Sequence, residues 1–318
     1  MMAASVESLG APSRPAAPVR TGRWGGHPTH LAQQRRWGAL MLSPTLLILG
    51  LFTFVPIVLT FWISLHAWNM LTPITKMSWV GLSNYTNLFH DPTFRSSLLV
   101  TLVYVVIVVG ITVPLSILVG MLLYFPRVRG KGVARTVLFT TYVIPTIAVA
   151  MVWGALYAPS YGPLAQMFHA VGLGQPTFLS SPSSALASLA AFNIWQMLGY
   201  YTVLVVAGLT QIPGDLYEAA RVDGAGFVRQ AMSITLPLLR RTTVFVVLIG
   251  VINAVQVFDP VYVLTQGGPI TSTTVISYDI QRTAFTYGLA GEASAMAFSL
   301  LVLLVAVAVV ILAFMRSR

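Results

Sequence analysis

The chain has 318 residues, 56% of them hydrophobic and 8% charged, with a mean hydropathy of +0.81. Soluble chains carry roughly 25% charged residues, so a soluble enzyme or binding domain is excluded by composition. The net charge of +10 invites a nucleic-acid reading, but the basic residues are spread over connecting segments without interleaved aromatics, and that role does not follow.

In chain order, residues 1 to about 34 are rich in Ala, Pro, Gly, Ser and Arg without apolar periodicity, and are expected to be a disordered tail. They do not form a signal peptide, because the first apolar run is too long for such an h-region and lacks an evident cleavage site. Six apolar runs follow, each near the 20 or so residues a membrane helix needs. They are Gly38 to His66, Ser97 to Phe125, Ala134 to Tyr157, Ser184 to Thr210, Thr242 to Leu264 and Ala293 to Met315. None alternates in the way a barrel strand must. An all-α polytopic membrane protein with six transmembrane helices is therefore expected over residues 35–318. Pro56, Pro114 and Pro145 are expected to kink their helices and free a carbonyl.

The placement of charge predicts orientation. Arg14, Arg20, Arg23, Arg35 and Arg36 precede the first run; Arg127, Arg129, Lys131 and Arg135 join the second and third. Arg221, Arg229, Arg240 and Arg241 join the fourth and fifth, and Arg316 and Arg318 follow the sixth. Lys76, Arg95 and Arg282 alone fall on the other side, so fifteen of the eighteen basic residues share one face. The positive-inside rule makes that face, and both termini, cytoplasmic. Of the outer loops, the first carries Trp79, Tyr85 and Phe89, which suit either a membrane-interface anchor or solute contact.

Catalytic signatures are missing. Neither Lys76 nor Lys131 stands in a GxxxxGK[ST] phosphate loop, so ATP is not bound by that route. There is no HExxH or GxSxG, and His27, His30, His66, His90 and His169 are too scattered to hold a metal. The absence of cysteine removes disulfides, thiolate metal sites and a cysteine nucleophile. Asp259, inside the fifth run, is the best acid for an intramembrane enzyme, but a lone acid does not make acid–base chemistry.

One polar stretch, DLYEAARVDGAGFVRQAMSITLP, separates the fourth and fifth runs. Asp215 as N-cap with Glu218 three residues on predicts a capping box and a short helix from about Asp215. That helix should end near Gly224, and Pro237 should start the next membrane helix. The product is a helical hook at about 213–237, either a partner-docking element or a capped connector.

The hook resembles the cytoplasmic signature of permease subunits of ABC importers that work with a binding protein. The family pattern, Glu-Ala-Ala, three residues, Gly, nine residues, Ile, one residue, Leu-Pro, is matched by Glu218, Ala219, Ala220, Gly224, Ile234, Leu236 and Pro237. Asp-Gly-Ala at Asp223 to Ala225 matches as well. Residues Val255 to Phe285 resemble carbohydrate permeases of the maltose-transporter type that comes first of two unlike permeases, through Phe258-Asp259, Tyr262 to Thr265, Gly267-Gly268-Pro269, Tyr278 and Ala284-Phe285. The resemblance runs from about residue 38 to 316; two extra N-terminal helices and a large outer domain of the enteric maltose subunit have no counterpart here.

The resemblance implies the type I ABC importer permease fold and a sugar translocated inward from an extracytoplasmic binding protein. It implies a second, homologous permease and two ATPase subunits, with ATP and Mg held by the ATPases and no cofactor on this chain. Glu218, Ala219, Ala220, Asp223, Gly224, Leu236 and Pro237 would couple to the ATPase, the glutamate pairing with a basic residue there. Asn193, Gln196, Tyr200, Asn253 and Gln256 are the expected substrate pathway. Their amides and phenol suit sugar hydroxyls, although interhelical hydrogen bonding would also use them. Asp259 with Gly267, Gly268 and Pro269 would shape the outer gate or touch the binding protein. Glycerol 3-phosphate or a glycerophosphodiester is an alternative solute, and a stand-alone channel or secondary transporter an alternative class.

Overall fold

The computed structural model describes residues 28–124, 130–172 and 174–316. It divides at Pro56 into two compact units. The first holds helix α1 (Pro28–Leu49) and a π-helical turn at Gly50–Phe54. Proline at the first helical position costs nothing, because its missing N–H would have had no partner. Helix thus starts ten residues before the expected Gly38, while residues 1–27 of the expected tail lie outside the described residues, as do Arg14, Arg20, Arg23, Arg127, Arg129 and Arg318. From Leu40 to Phe54 the large apolar side chains are exposed, the pattern of a helix solvated by lipid.

The second unit opens with α2 (Val55–Ser64), then a hairpin of β1 (His66–Ala67) against β2 (Ser78–Trp79), with His66 opposite Trp79. Next come α3 (Ser83–His90), α4 (Pro92–Tyr124), α5 (Lys131–Val143), α6 (Thr146–Leu156), α7 (Pro163–Ala170) and α8 (Pro182–Leu209). The hook follows as α9 (Gly214–Val222) and α10 (Phe227–Gln230), with a π turn at Ala231–Thr235 and α11 (Leu236–Leu238). The chain finishes with α12 (Arg240–Val255), α13 (Asp259–Leu264), α14 (Ile276–Gln281), a π turn at Arg282–Thr286 and α15 (Ala290–Arg316). Among the described residues five helical stretches are long and apolar enough to cross a membrane, six when α5 and α6 count as one bent span.

Helix α8 is the axis of the packing. Its Tyr201, Val205 and Leu209 meet Val113, Ile117 and Met121 of α4 and Val246 of α12 at the hook end. Its Leu189 and Ala190 meet Tyr104 and Val108 of α4 and Val261 of α13 at the hairpin end. Between membrane helices the hydrophobic effect is weak, and close van der Waals contact through small residues does the work. Gly120 accordingly lies against Val205, and Gly208 against Thr242.

Two expected helices are not continuous. The run Ala134 to Tyr157 is two helices, α5 and α6, bent by 97° at Ile144–Pro145. Pro145 offers no N–H and crowds its predecessor out of the helical region, so Ile144 is extended at φ −69°, ψ 136°. This is a break where the sequence reading expected a kink. The run Thr242 to Leu264 is interrupted at Gln256–Phe258, where Phe258 takes φ −137°, ψ −59° before α13 restarts with Pro260 in its first turn. Pro114, by contrast, sits inside an unbroken α4, flanked by Thr112 and Ser116 hydroxyls that donate to the Val108 and Val113 carbonyls.

Candidate functional site

The two helix breaks lie on one cavity. Tyr142 and Thr146 flank the first break, Gln256, Val257, Phe258, Asp259 and Pro260 form the second, and Asn193, Gln196 and Met197 of α8 with Asn253 of α12 complete the lining. The volume is about 260 Å³. That falls below the roughly 300–1,000 Å³ of ordinary ligand pockets.

Four of the five expected pathway residues therefore meet: Asn193, Gln196, Asn253 and Gln256. The fifth, Tyr200, is one step removed and stacks on Tyr142 with ring centroids 4.4 Å apart and planes 14° from parallel. Gln196 is 1% exposed; its Nε2 donates to Thr146 Oγ1 at 3.0 Å, while its Oε1 has no protein partner. Asn253 Nδ2 donates to the Tyr201 hydroxyl at 3.3 Å. The structure seats Asp259 on this same cavity, half-buried and without a hydrogen bond or ion pair among the described residues. Tyr142 and Thr146 were not singled out from the sequence, and Phe258 was noted only as part of a family motif and not as a pathway residue. An aromatic residue shortly before a mid-membrane proline was the available signal.

Gly267, Gly268 and Pro269 stand apart from the cavity. Gly267 takes φ +80°, a value that favours glycine, and Thr273 and Thr274 hydroxyls donate to the Gly268 and Gly267 carbonyls at 2.7 and 3.0 Å. The stapled turn holds up Ile270, 86% exposed. Nearby, Arg282 Nη2 donates to the buried Asp279 Oδ1 at 3.0 Å and its guanidinium lies 5.5 Å over the Tyr287 ring. Burial pushes the Asp279 carboxyl above the usual carboxylate range, with Arg282 pulling the other way and losing.

In the hook, the expected capping box does not form. Pro213 occupies the N-cap position with φ −58°, ψ 132° and no side-chain cap bond, so helix begins at Gly214 and Asp215 is already inside it. Glu218 lies instead 3.7 Å from Arg221, both largely exposed, a pair worth little by itself. The predicted stop is in place: Gly224 takes φ +75° and the Ala225 N–H closes back on the Ala220 carbonyl at 2.8 Å. Gln230 Nε2 donates to the Ala225 carbonyl at 2.7 Å, and the Tyr217 hydroxyl meets Thr235 Oγ1 at 3.0 Å. Ile234 and Leu236 pack inward on the core, whereas Glu218, Ala219, Asp223, Gly224 and Pro237 are exposed and Ala220 is half-buried. The motif thus divides into an anchoring part and a presented part.

Residues 112–317 match the family described as "Binding-protein-dependent transport system inner membrane component". The chain is 36% identical over 245 residues to the trehalose/maltose transport system permease protein MalF of Thermococcus litoralis, covering 77% of this chain and 82% of that one. In fold it is similar to a bacterial ABC transporter involved in importing the acidic polysaccharide alginate, with a TM-score of 0.79, 23% identity and coverage of 91% and 98%. A second structure of such a transporter, in complex with an alginate pentasaccharide-bound periplasmic protein, gives 0.75, 24%, 90% and 94%. The chain is a multi-pass membrane protein and belongs to the family of inner-membrane permease components of binding-protein-dependent ABC importers.

Proposed function

We propose that this permease carries a saccharide inward through the cavity between its two broken helices. The observation that carries the reading is the convergence of Asn193, Gln196, Asn253 and Gln256 on one cavity that also exposes Tyr142, itself stacked on Tyr200. Amides supply both donors and acceptors, and aromatic faces suit sugar rings. The Thermococcus relative's name, a trehalose/maltose permease, supports the same solute class.

In this reading a second, homologous permease closes the open side of the cavity, and a solute-binding protein delivers the sugar at the hairpin end. The Gly267–Pro269 turn shapes the outer gate there. Two ATPase subunits, holding ATP and Mg, dock on the exposed part of the hook at about 213–237, with Glu218 paired to a basic residue. Residues 35–318 make the permease domain and 1–34 a cytoplasmic tail, with both termini cytoplasmic in the plasma or inner membrane. ATP-driven closure moves the hooks together and turns the cavity outward, and hydrolysis resets it. Such a shift requires the hook to bind the two ATPase states differently.

A phosphate-bearing solute would call for Arg or Lys, and the cavity lining contains neither. A stand-alone channel would leave the presented half of the hook without a purpose. The deciding experiment is co-purification of the assembled transporter and measurement of ATP hydrolysis with sugar-loaded binding protein. Sugar-dependent stimulation is expected in the wild type, with loss of it in a folded Glu218→Arg variant. Normal uptake by Glu218→Arg would sink the docking assignment.

A further inference from the structure

Asp259 is an acid inside a membrane span, and such residues are expensive unless they face a partner or a cavity. It has the cavity and lacks the partner: no hydrogen bond or ion pair reaches it among the described residues. A local capping role is absent too, since Phe258 is the N-cap of α13 and no side-chain cap bond is made. The neighbouring amides add to the imbalance. Gln196 commits one N–H to Thr146 and Asn253 commits one to Tyr201, while the buried Gln196 Oε1 is left without a protein partner. A buried acceptor without a donor carries a desolvation penalty that an incoming hydroxyl or amine removes.

We propose that Asp259 is a specificity-determining residue that restricts the cavity to saccharides bringing hydrogen-bond donors and no acidic group. Neutral and amine-bearing sugars fit; uronates and sugar phosphates are repelled. This rests on the reading of the cavity as the solute pathway.

The test uses the assembled transporter in nanodiscs without binding protein, so that the receptor's own selectivity does not enter. Saturation-transfer NMR titrations compare maltose, a glucosamine disaccharide and a galacturonate disaccharide. In the wild type the uronate should bind at least about tenfold more weakly than maltose, since its carboxylate would be brought against the like charge of Asp259. Asp259→Asn should bring the two within roughly threefold, and Asp259→Glu should restore the discrimination. Equal binding of uronate and maltose by the wild type, or an unchanged ratio in Asp259→Asn, would overturn the assignment. Loss of the second permease from the Asp259→Asn complex would also overturn it, giving the carboxylate to the subunit interface. If an intact wild-type complex bound none of the three sugars, the pathway reading itself would fall, and the selectivity with it.

Discussion

Replacing Gly199 by valine would push a side chain into the backbone of α5. A Cβ built at Gly199 overlaps the Leu138 carbonyl and sits 2.9 Å from the Phe139 nitrogen, and backbone atoms cannot rotate away. Non-bonded heavy atoms need roughly 3.5 Å, so α5 must retreat from α8 by roughly 1 Å or more. Two contacts on that seam cannot survive such a retreat. Thr141 Oγ1 donates to the Gln196 carbonyl at 3.2 Å and would pass out of hydrogen-bond reach, and the 4.4 Å stack of Tyr142 on Tyr200 would open. Overpacking costs about 1–3 kcal/mol, the hydrogen bond about 1 and the stack about 0.5–1.5, together roughly 2.5–5.5 kcal/mol. The purified transporter should therefore melt roughly 5–15 °C lower as Gly199→Val, with sugar uptake reduced beyond the loss of protein because Tyr142 and Thr146 are displaced from the cavity. Gly199→Ala should lie between. A Gly199→Val transporter that melts and transports like the wild type would refute the claim that this close approach builds the cavity.

The other expectations concern the hook and the Asp279–Arg282 ion pair. Gly224→Val meets open space but forces a β-branched residue to φ +75°, at a cost of about 1–2 kcal/mol. The ATPases should then fail to co-purify, whereas Gly224→Asn, which tolerates that conformation, should retain them; equal retention by both variants would count against the hook's geometry mattering. For Asp279, the folded protein holds its proton more tightly than the unfolded chain does, because burial raises its pKa above 3.8. In the window between 3.8 and that raised value the native state binds more protons, so stability falls as pH rises through it. Melting midpoints measured from pH 4 upward should show this slope in the wild type relative to Asp279→Asn, and parallel profiles would contradict it.

How much could be read from the sequence differs from residue to residue. The apolar runs gave the membrane spans to within about five residues, because lipid imposes length on them, although helix α1 begins well before the first run. Asn193 and Gln196 were legible because polar residues one turn apart in an apolar helix share a face. Tyr142 and Thr146 were not, since their place depends on a 97° turn at Pro145 that the same sequence could have absorbed as a kink. Asp259 was read together with the Gly267–Pro269 turn as part of an outer gate or a binding-protein contact; its place on the cavity lining depends on the break before it, which the sequence did not mark. The capping box failed for a local reason: Pro213, with its fixed φ, already starts the helix and leaves Asp215 one position too deep. Leu236 belongs to a motif read as one docking surface, yet it packs inward, a distinction between anchor and contact that spacing does not carry.

The bend at Ile144–Pro145 has a consequence for permeability. A broken helix leaves carbonyls at mid-membrane depth without intrahelical donors, and hydrocarbon supplies none. Some are met within the protein, as where Ser277 Oγ donates to the Val255 carbonyl at the second break. A carbonyl left over at that depth is satisfied only by water admitted through the cavity. A hydrated pocket halfway across a bilayer is a potential leak for protons and small ions. Within this chain the barrier that holds the membrane potential must therefore lie above and below the breaks, in the straight segments of α4, α8 and α12.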